Sequence, residues 1–262
     1  MNDYPPPGIS FLVKIHNEET TLETSIRSLF GLLITYEIIL ILHRCTDTSL
    51  QIALRLQAEQ PTLIRILTYN ATVARPGYET LVTDTASPHS LPTYYNWAHQ
   101  QRRYLWTAKW DVDFVATPAL RAYLNTADVW HLPHQLIWLG ATSSTHTEYH
   151  SYFTSCLSHY RKDIFYEAPF FRFDPSKHVR HMPPVHIQHL SSVGHLKDYW
   201  WDPPWFDQET SEEATIAKER YNRLIVEFGM PPVGMGRSGD SATAIEFGNR
   251  IIAAWPEYVS VE

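Results

Sequence analysis

Between Ile9 and Leu67 the chain alternates strand, helix, strand, helix, strand, and few folds accept that order. Ile9 to Ile15 is short and mostly apolar, and Tyr36 to Leu42 is an almost unbroken apolar run with a single glutamate. A run of that kind is expected of a strand covered on both faces. Between the two, Thr20-Thr21-Leu22-Glu23 has the form of a capping box, followed by Leu22, Ile26, Leu29, Phe30 and Leu33 at helical spacing. Thr46-Asp47 can cap a second helix with Leu50, Ala53 and Leu54 on one side, and Leu63 to Leu67 reads as a third strand. Strands joined by helices run parallel, so an α/β fold is expected: a mostly parallel sheet flanked by helices.

The chemistry gathers where such strands end. In open parallel sheets, ligands lie beyond the carboxyl ends of the strands. The first strand exits into His16-Asn17-Glu18-Glu19 and the second into His43-Arg44-Cys45-Thr46-Asp47. After an irregular stretch from Asn70 to Ser90, read as loop, and a helix from Leu91 to Arg103, a further strand from Tyr104 to Asp111 exits into Asp111-Val112-Asp113. In an extended strand residues i and i+2 share a face, which points both carboxylates the same way. Paired carboxylates suit a hard divalent cation, and that cation suits a diphosphate. The alternative is that they turn a loop or cap the short helix opened by Thr117-Pro118. Lys109, on the same strand face, can bridge to the pair or touch phosphate; the bridge is favoured.

Composition narrows the classes. A net charge of -7 over 262 residues argues against a nucleic-acid surface, which needs a basic patch. The two cysteines, Cys45 and Cys156, imply neither a disulfide framework nor a zinc ribbon, and a reducing, cytoplasmic setting is expected. No signal-peptide pattern occupies Met1 to Gly8, and no run approaches the ~20 apolar residues of an integral membrane segment. Attachment at the periphery of a membrane would need a partner or a surface patch. The 13% aromatic content fits a large core, or surfaces that stack sugars.

Beyond Trp130 the pattern loosens into possible strands at Gln135 to Leu139, Ile164 to Phe173 and Pro184 to Ile187, a mixed or antiparallel half. Gln208 to Phe228 reads as a helix with Ala217, Tyr221, Leu224, Ile225 and Phe228 on one face, stopped by Gly229 and Pro231-Pro232. A second helix is expected within Asp240 to Trp255. Gly234-Met235-Gly236-Arg237-Ser238-Gly239 spells GxGxxG, but no strand precedes it, so it reads as linker. His178, His181, His186, His189 and His195 crowd one interval without a nearby cysteine or an HExxH pattern, which weakens a zinc-hydrolase reading.

Taken in order, Val13-Lys14-Ile15-His16-Asn17-Glu18-Glu19, the Tyr36 to Asp47 segment and Lys109-Trp110-Asp111-Val112-Asp113 resemble the family-2 glycosyltransferases of the GT-A fold, with bacterial and large-virus members the nearest in look. The resemblance covers residues 9 to 115 well and 116 to 205 loosely. It implies a GT-A-like catalytic domain over 1–205, with a nucleotide-binding half at 1–115 and an acceptor half at 116–205, followed by a C-terminal helical extension at 206–262. The implied activity is inverting transfer of a hexosyl or deoxyhexosyl group from a nucleotide-sugar donor to a glycan or other hydroxyl acceptor, with Mn2+ or Mg2+ as cofactor. Asp113 becomes the direct metal ligand and Asp111 a ribose or metal-water contact; His189 or His186 becomes the late histidine ligand. Asn17 and Glu18 line the nucleotide pocket beside His16, with Lys109 near the phosphates. Many relatives carry a base-reading aspartate after the second strand, where Leu42 and His43 stand here, so base contact passes to His43 or Arg44, unless Arg44 is a solvated charge. The general base is expected at Glu167, with Glu148 and Asp163 as the other candidates. Trp201 and Trp205, in a stiff aromatic and proline stretch from Tyr199 to Phe206, either stack the acceptor or glue the last helix to the body. The competing reading is a catalytically degenerate GT-A-like module that binds sugar or protein.

Overall fold

Strand β1 (Ile9–Ile15) lies between two parallel neighbours, β2 (Tyr36–His43) and β4 (Trp106–Trp110), and β3 (Ile64–Tyr69) runs parallel on the far side of β2. The computed structural model describes residues 4–75, 77–128, 130–132, 136–142, 147–155, 159–160, 169–170, 179–181, 187–189, 203–229, 250 and 253–254. The chain divides into two compact units: Met1–Asn70 with Ala98–Ser158 and Phe171–Trp201, and Ala71–Trp97 with His159–Phe170 and Asp202–Glu262.

In the first unit the parallel strands take the order β3-β2-β1-β4. The sheet continues as β5 (Phe114–Ala116), β6 (Leu136–Thr142), β7 (Thr147–Thr154), β10 (Val179–His181) and β11 (Ile187–His189). There β7 is antiparallel to both β4 and β6, while β11 runs parallel to β6 and antiparallel to β5. The fold is therefore α/β with a parallel half and a mixed half, as the sequence pattern implied. The two-residue strands β8 (His159–Tyr160) and β9 (Pro169–Phe170) pair separately in the second unit.

Every residue of β2 except Tyr36 is buried, Glu37 included, which matches its almost unbroken apolar run. Helix α1 (Leu22–Ser28) covers the sheet with Leu22 and Ile26, and Leu29 follows just past its end, all three fully buried. Each such side chain contributes about 1.5–3 kcal/mol on leaving water. Phe11 sits amid Tyr36, Trp110 and Phe153, its ring edge-on to each at about 6 Å. Much of the aromatic content is thus core.

Several local expectations are corrected. Thr21, not Thr20, precedes α1 and makes no side-chain cap; Glu23 instead pairs with Arg27 and Arg55. The helix ends at Ser28, so Leu33 lies beyond it, 84% exposed. On α2 (Ser49–Glu59) the buried stripe is Ile52, Ala53 and Leu56, which turns Leu50 and Leu54 outward.

The second unit builds its core from distant segments. Within the stretch expected to be loop, α3 (Tyr78–Val82) forms ahead of α4 (Leu91–Gln100) and buries Tyr78, Leu81 and Val82. These pack with Trp205, Phe206, Ala214, Ala217 and Leu224, the last three on α6 (Glu212–Phe228). Ser211 caps α6 by accepting from the Ala214 amide, and Gly229 ends it at a φ of 83°, a backbone open to glycine at no steric cost. Trp205, Phe206 and α6 thus share a core with Ala74, Tyr78, Leu81 and Val82. The GxGxxG run and residues 240–249 lie outside the described residues. No helix among the described residues is long and apolar enough to cross a membrane.

Candidate active site

The register brings three strand ends to one edge. Ile15 pairs with Leu42 across β1 and β2, and Val13 pairs with Trp110 across β1 and β4. The loops after β1, β2 and β4 therefore leave the sheet side by side, at the end where α/β sheets bind ligands.

The first two loops hold each other. Asn17 Oδ1 accepts from the Thr46 amide at 2.7 Å and the Asp47 amide at 3.4 Å. In return Asp47 Oδ2 accepts from the Glu19 amide at 3.0 Å, and its Oδ1 accepts from the Ser49 amide at the start of α2. Glu19 accepts from the amide and hydroxyl of Thr48. Glu18, 8% exposed, donates its backbone amide to the Ser49 hydroxyl oxygen at 2.8 Å. Asn17 and Arg44 both adopt positive φ, 56° and 48°. Asn tolerates that region through its short polar side chain; for arginine it is uncommon.

His16 Nδ1 lies 2.6 Å from the carbonyl oxygen of His43. A carbonyl only accepts, so Nδ1 carries the proton. The His16 and His43 rings are 5.3 Å apart, and His43 meets Tyr69 edge-on at 6.3 Å, a row of rings from the ends of β1, β2 and β3. Cys45 Sγ donates to the Ile15 carbonyl, and burial pushes its thiol up from the ordinary range.

The acidic pair is placed differently from the expectation. Strand β4 stops at Trp110, and Asp111-Val112-Asp113 is a turn closed by the Phe114 amide on the Asp111 carbonyl at 3.0 Å. The pair is not presented by strand alternation. Thr117, not either aspartate, caps α5 (Pro118–Thr126). Asp113 is 4% exposed; the Asp111 side chain is 34% exposed and is bridged by Lys109 Nζ at 2.7 Å, the role favoured for that lysine. His189 stands opposite Phe114 in the β11–β5 ladder, next in register to the residue that follows Asp113. Among the described residues no group of three or more His, Cys, Asp or Glu side chains is arranged to hold a metal ion. The donors that are placed, two carboxylates two positions apart in one turn, suit a hard cation that keeps several waters.

Other candidates scatter. Glu148 lies on β7 opposite Ala141. Glu167, Asp163, His186 and Trp201 lie outside the described residues. Trp205 is corrected: it is 1% exposed, stacks on His89 at 4.1 Å and 5°, and donates from Nε1 to Thr83 Oγ1 at 2.8 Å. Both its face and its polar edge are engaged in the second unit's core, so it packs and does not stack an acceptor. Ser25 and Ser28, which accept from Trp110 and Ala116 on either side of the acidic turn, had no sequence signal beyond their place on an amphipathic helix.

The strand order and the mixed continuation of the sheet are those of a GT-A-like α/β fold. The chain is similar in structure to the mannosyltransferase PcManGT from Pyrobaculum calidifontis, solved in complex with GDP-Man and Mn2+, with a TM-score of 0.51 and 12% identity over 99% of this chain and 77% of that one. It is also similar to glucosyl-3-phosphoglycerate synthase from Mycobacterium tuberculosis (TM-score 0.46, 13% identity, 87% and 82% covered) and to S. aureus TarS in complex with UDP-GlcNAc (0.38, 15%, 53% and 36%). The match to TarS thus spans little over a third of that chain. No protein-family model and no curated protein matches the chain.

Proposed function

We propose that this chain is a metal-dependent inverting glycosyltransferase, moving a hexosyl or deoxyhexosyl group from a nucleotide-diphosphate sugar to a hydroxyl acceptor in glycan synthesis. The observation that carries the reading is the meeting of three strand ends, with Asp113 and Asp111 in a turn beside the loops after β1 and β2. The mannosyltransferase that shares the fold is solved with GDP-Man and Mn2+, which makes a nucleotide sugar and a divalent cation the natural pair to test.

Asp113 and Asp111 would hold the Mn2+ or Mg2+ ion, with His189, beside Phe114 in register, the next candidate and His186 behind it. When bound, the cation neutralises charge on the departing diphosphate as a Lewis acid. Lys109 holds Asp111 in place and adds a positive charge at the same turn. Asn17 and Glu18 shape the nucleotide loop, and His16, His43 and Arg44 take over base contact in the absence of the aspartate that relatives place there. The acceptor oxygen bonds the anomeric carbon as the bond to diphosphate breaks, and the hydroxyl proton passes to a carboxylate. Glu167 is the first choice for that base, ahead of Glu148 and Asp163.

The test is a panel of nucleotide sugars incubated with Mn2+ or Mg2+, reading release of nucleoside diphosphate. Release that needs the metal and is lost in Asp113→Asn supports the reading. Tight donor binding without release from any donor, with or without acceptor, replaces it with the degenerate binding module.

A further inference from the structure

We propose that Ser25 and Ser28 of α1 are positioning residues that set the acidic turn, an inference resting on the proposed function. Trp110, the last residue before the turn, donates its indole Nε1–H to Ser25 Oγ at 3.0 Å, and both residues are fully buried. Ala116, the last residue of β5 after the turn, donates its amide to Ser28 Oγ at 3.0 Å. The Ser28 hydroxyl in turn donates to the Ser25 carbonyl at 2.6 Å, and Arg121 of α5 donates to the Ser28 carbonyl at 2.6 Å.

Residues three apart on a helix share a face. Both ends of the segment 110–116 are therefore fastened to one turn of one helix. Between the two fastenings the chain closes on itself: the Phe114 amide bonds the Asp111 carbonyl, and the Trp110 and Phe114 rings meet edge-on at 5.7 Å. Helix α1 thus fixes where the turn starts and where it ends, and with them the separation of the two carboxylates. Each acts through what it holds: Ser25 through the Trp110 indole, Ser28 through the Ala116 backbone amide. Residues of this supporting kind change metal affinity by about 10–100-fold when removed.

The experiment is Mn2+ titration of the full chain, with GDP or UDP present, for wild type, Ser25→Ala, Ser28→Ala and the hydroxyl-retaining Ser25→Thr. Hydrogen exchange of the 111–116 peptide is followed in parallel. Tyr36→Phe serves as the control, since it removes a buried-side hydroxyl bond to Leu29 just past the same helix without touching the turn. The expected result is about tenfold weaker Mn2+ binding and faster 111–116 exchange in both alanine variants, near-wild-type values in Ser25→Thr, and no change in Tyr36→Phe. Wild-type uptake of Mn2+ with undiminished affinity in Ser25→Ala overturns the positioning role alone. Equal loss in Tyr36→Phe overturns it too, by making the effect one of general stability. No Mn2+ uptake by folded wild type overturns the metal reading itself.

Discussion

The two ends of the parallel sheet both bury a carboxylate, and they set it in different surroundings. At the amino end Glu37, 2% exposed and paired in register with Ser10, accepts from Ser10 Oγ at 2.7 Å, Arg65 Nη1 at 2.9 Å and the Arg103 amide at 2.8 Å. Those bonds tie β1, β2, β3 and the approach to β4 together, and they complete a structural knot. At the carboxyl end Asp113, 4% exposed, sits in a turn after β4, at the edge where the loops from β1 and β2 also emerge. Burial of an acid is therefore no mark of chemistry by itself: Glu37 fastens strands, while Asp113 lies past the end of β4 in the turn on which the proposed function rests.

That contrast is broken most directly by exchanging one acid at a time. Asp113→Asn is expected to lower metal-dependent donor turnover at least about 100-fold while the unfolding midpoint stays near wild type, measured by nucleoside diphosphate release and by thermal melting. Glu37→Ala is expected to do the reverse. Removing one partner of a buried charged network costs about 3–5 kcal/mol, read as a drop in the urea midpoint, with kcat of the folded fraction unchanged. A Glu37 variant that loses turnover at full stability would erase the distinction between the two ends.

A third test lies between them. His99 is fully buried beside Thr107 of β4, with Nδ1 3.1 Å from Thr107 Oγ1. Burial, reinforced by the charges of Arg102 and Lys14, pushes its pKa down to about 3. Below about pH 6.5 the unfolded chain takes a proton that the folded chain refuses, so stability falls as pH drops from there toward 3. The expected slope from this residue is about 1.4 kcal/mol per pH unit across that window, and His99→Gln should flatten it in urea titrations at pH 4, 5 and 6.

The parallel half was legible because its signals are local. An almost unbroken apolar run needs only seven consecutive residues to announce β2, and the observed strand, Tyr36–His43, adds one residue. The convergence of the three exits followed from topology alone. The acidic turn was half legible: its residues stood out, but alternation along a strand was the wrong device, because β4 ends one residue before Asp111. What could not be read was long-range. Tyr78 and Leu81 pack with Trp205 and Leu224 across more than a hundred residues of chain, and no periodicity within either segment names the other. The aromatic stretch around Trp205 left acceptor stacking and packing both open for the same reason: its partners, His89 and Thr83, are remote in sequence.

The smallest effect distinguishes two residues that share an unusual backbone. Asn17 and Arg44 both sit at positive φ at the carboxyl edge, directly or nearly after β1 and β2. Asn17 is compensated, since its Oδ1 organises the facing loop through the Thr46 and Asp47 amides. Asn17→Gly keeps the backbone easy but removes those bonds, so a loss of about 1–2 kcal/mol is expected. Arg44 bears a conformation that disfavours non-glycine residues by about 1–2 kcal/mol. Strain of that kind persists where a side chain is needed in place. Arg44→Gly should therefore raise stability by about 1 kcal/mol and yet raise the donor KM about fivefold, because about 1 kcal/mol of contact corresponds to that factor. The two glycine variants thus move melting temperature in opposite directions. If Arg44→Gly gains stability with the donor KM unchanged, the arginine is strained for no ligand, and of the proposed base contacts only the histidines are left.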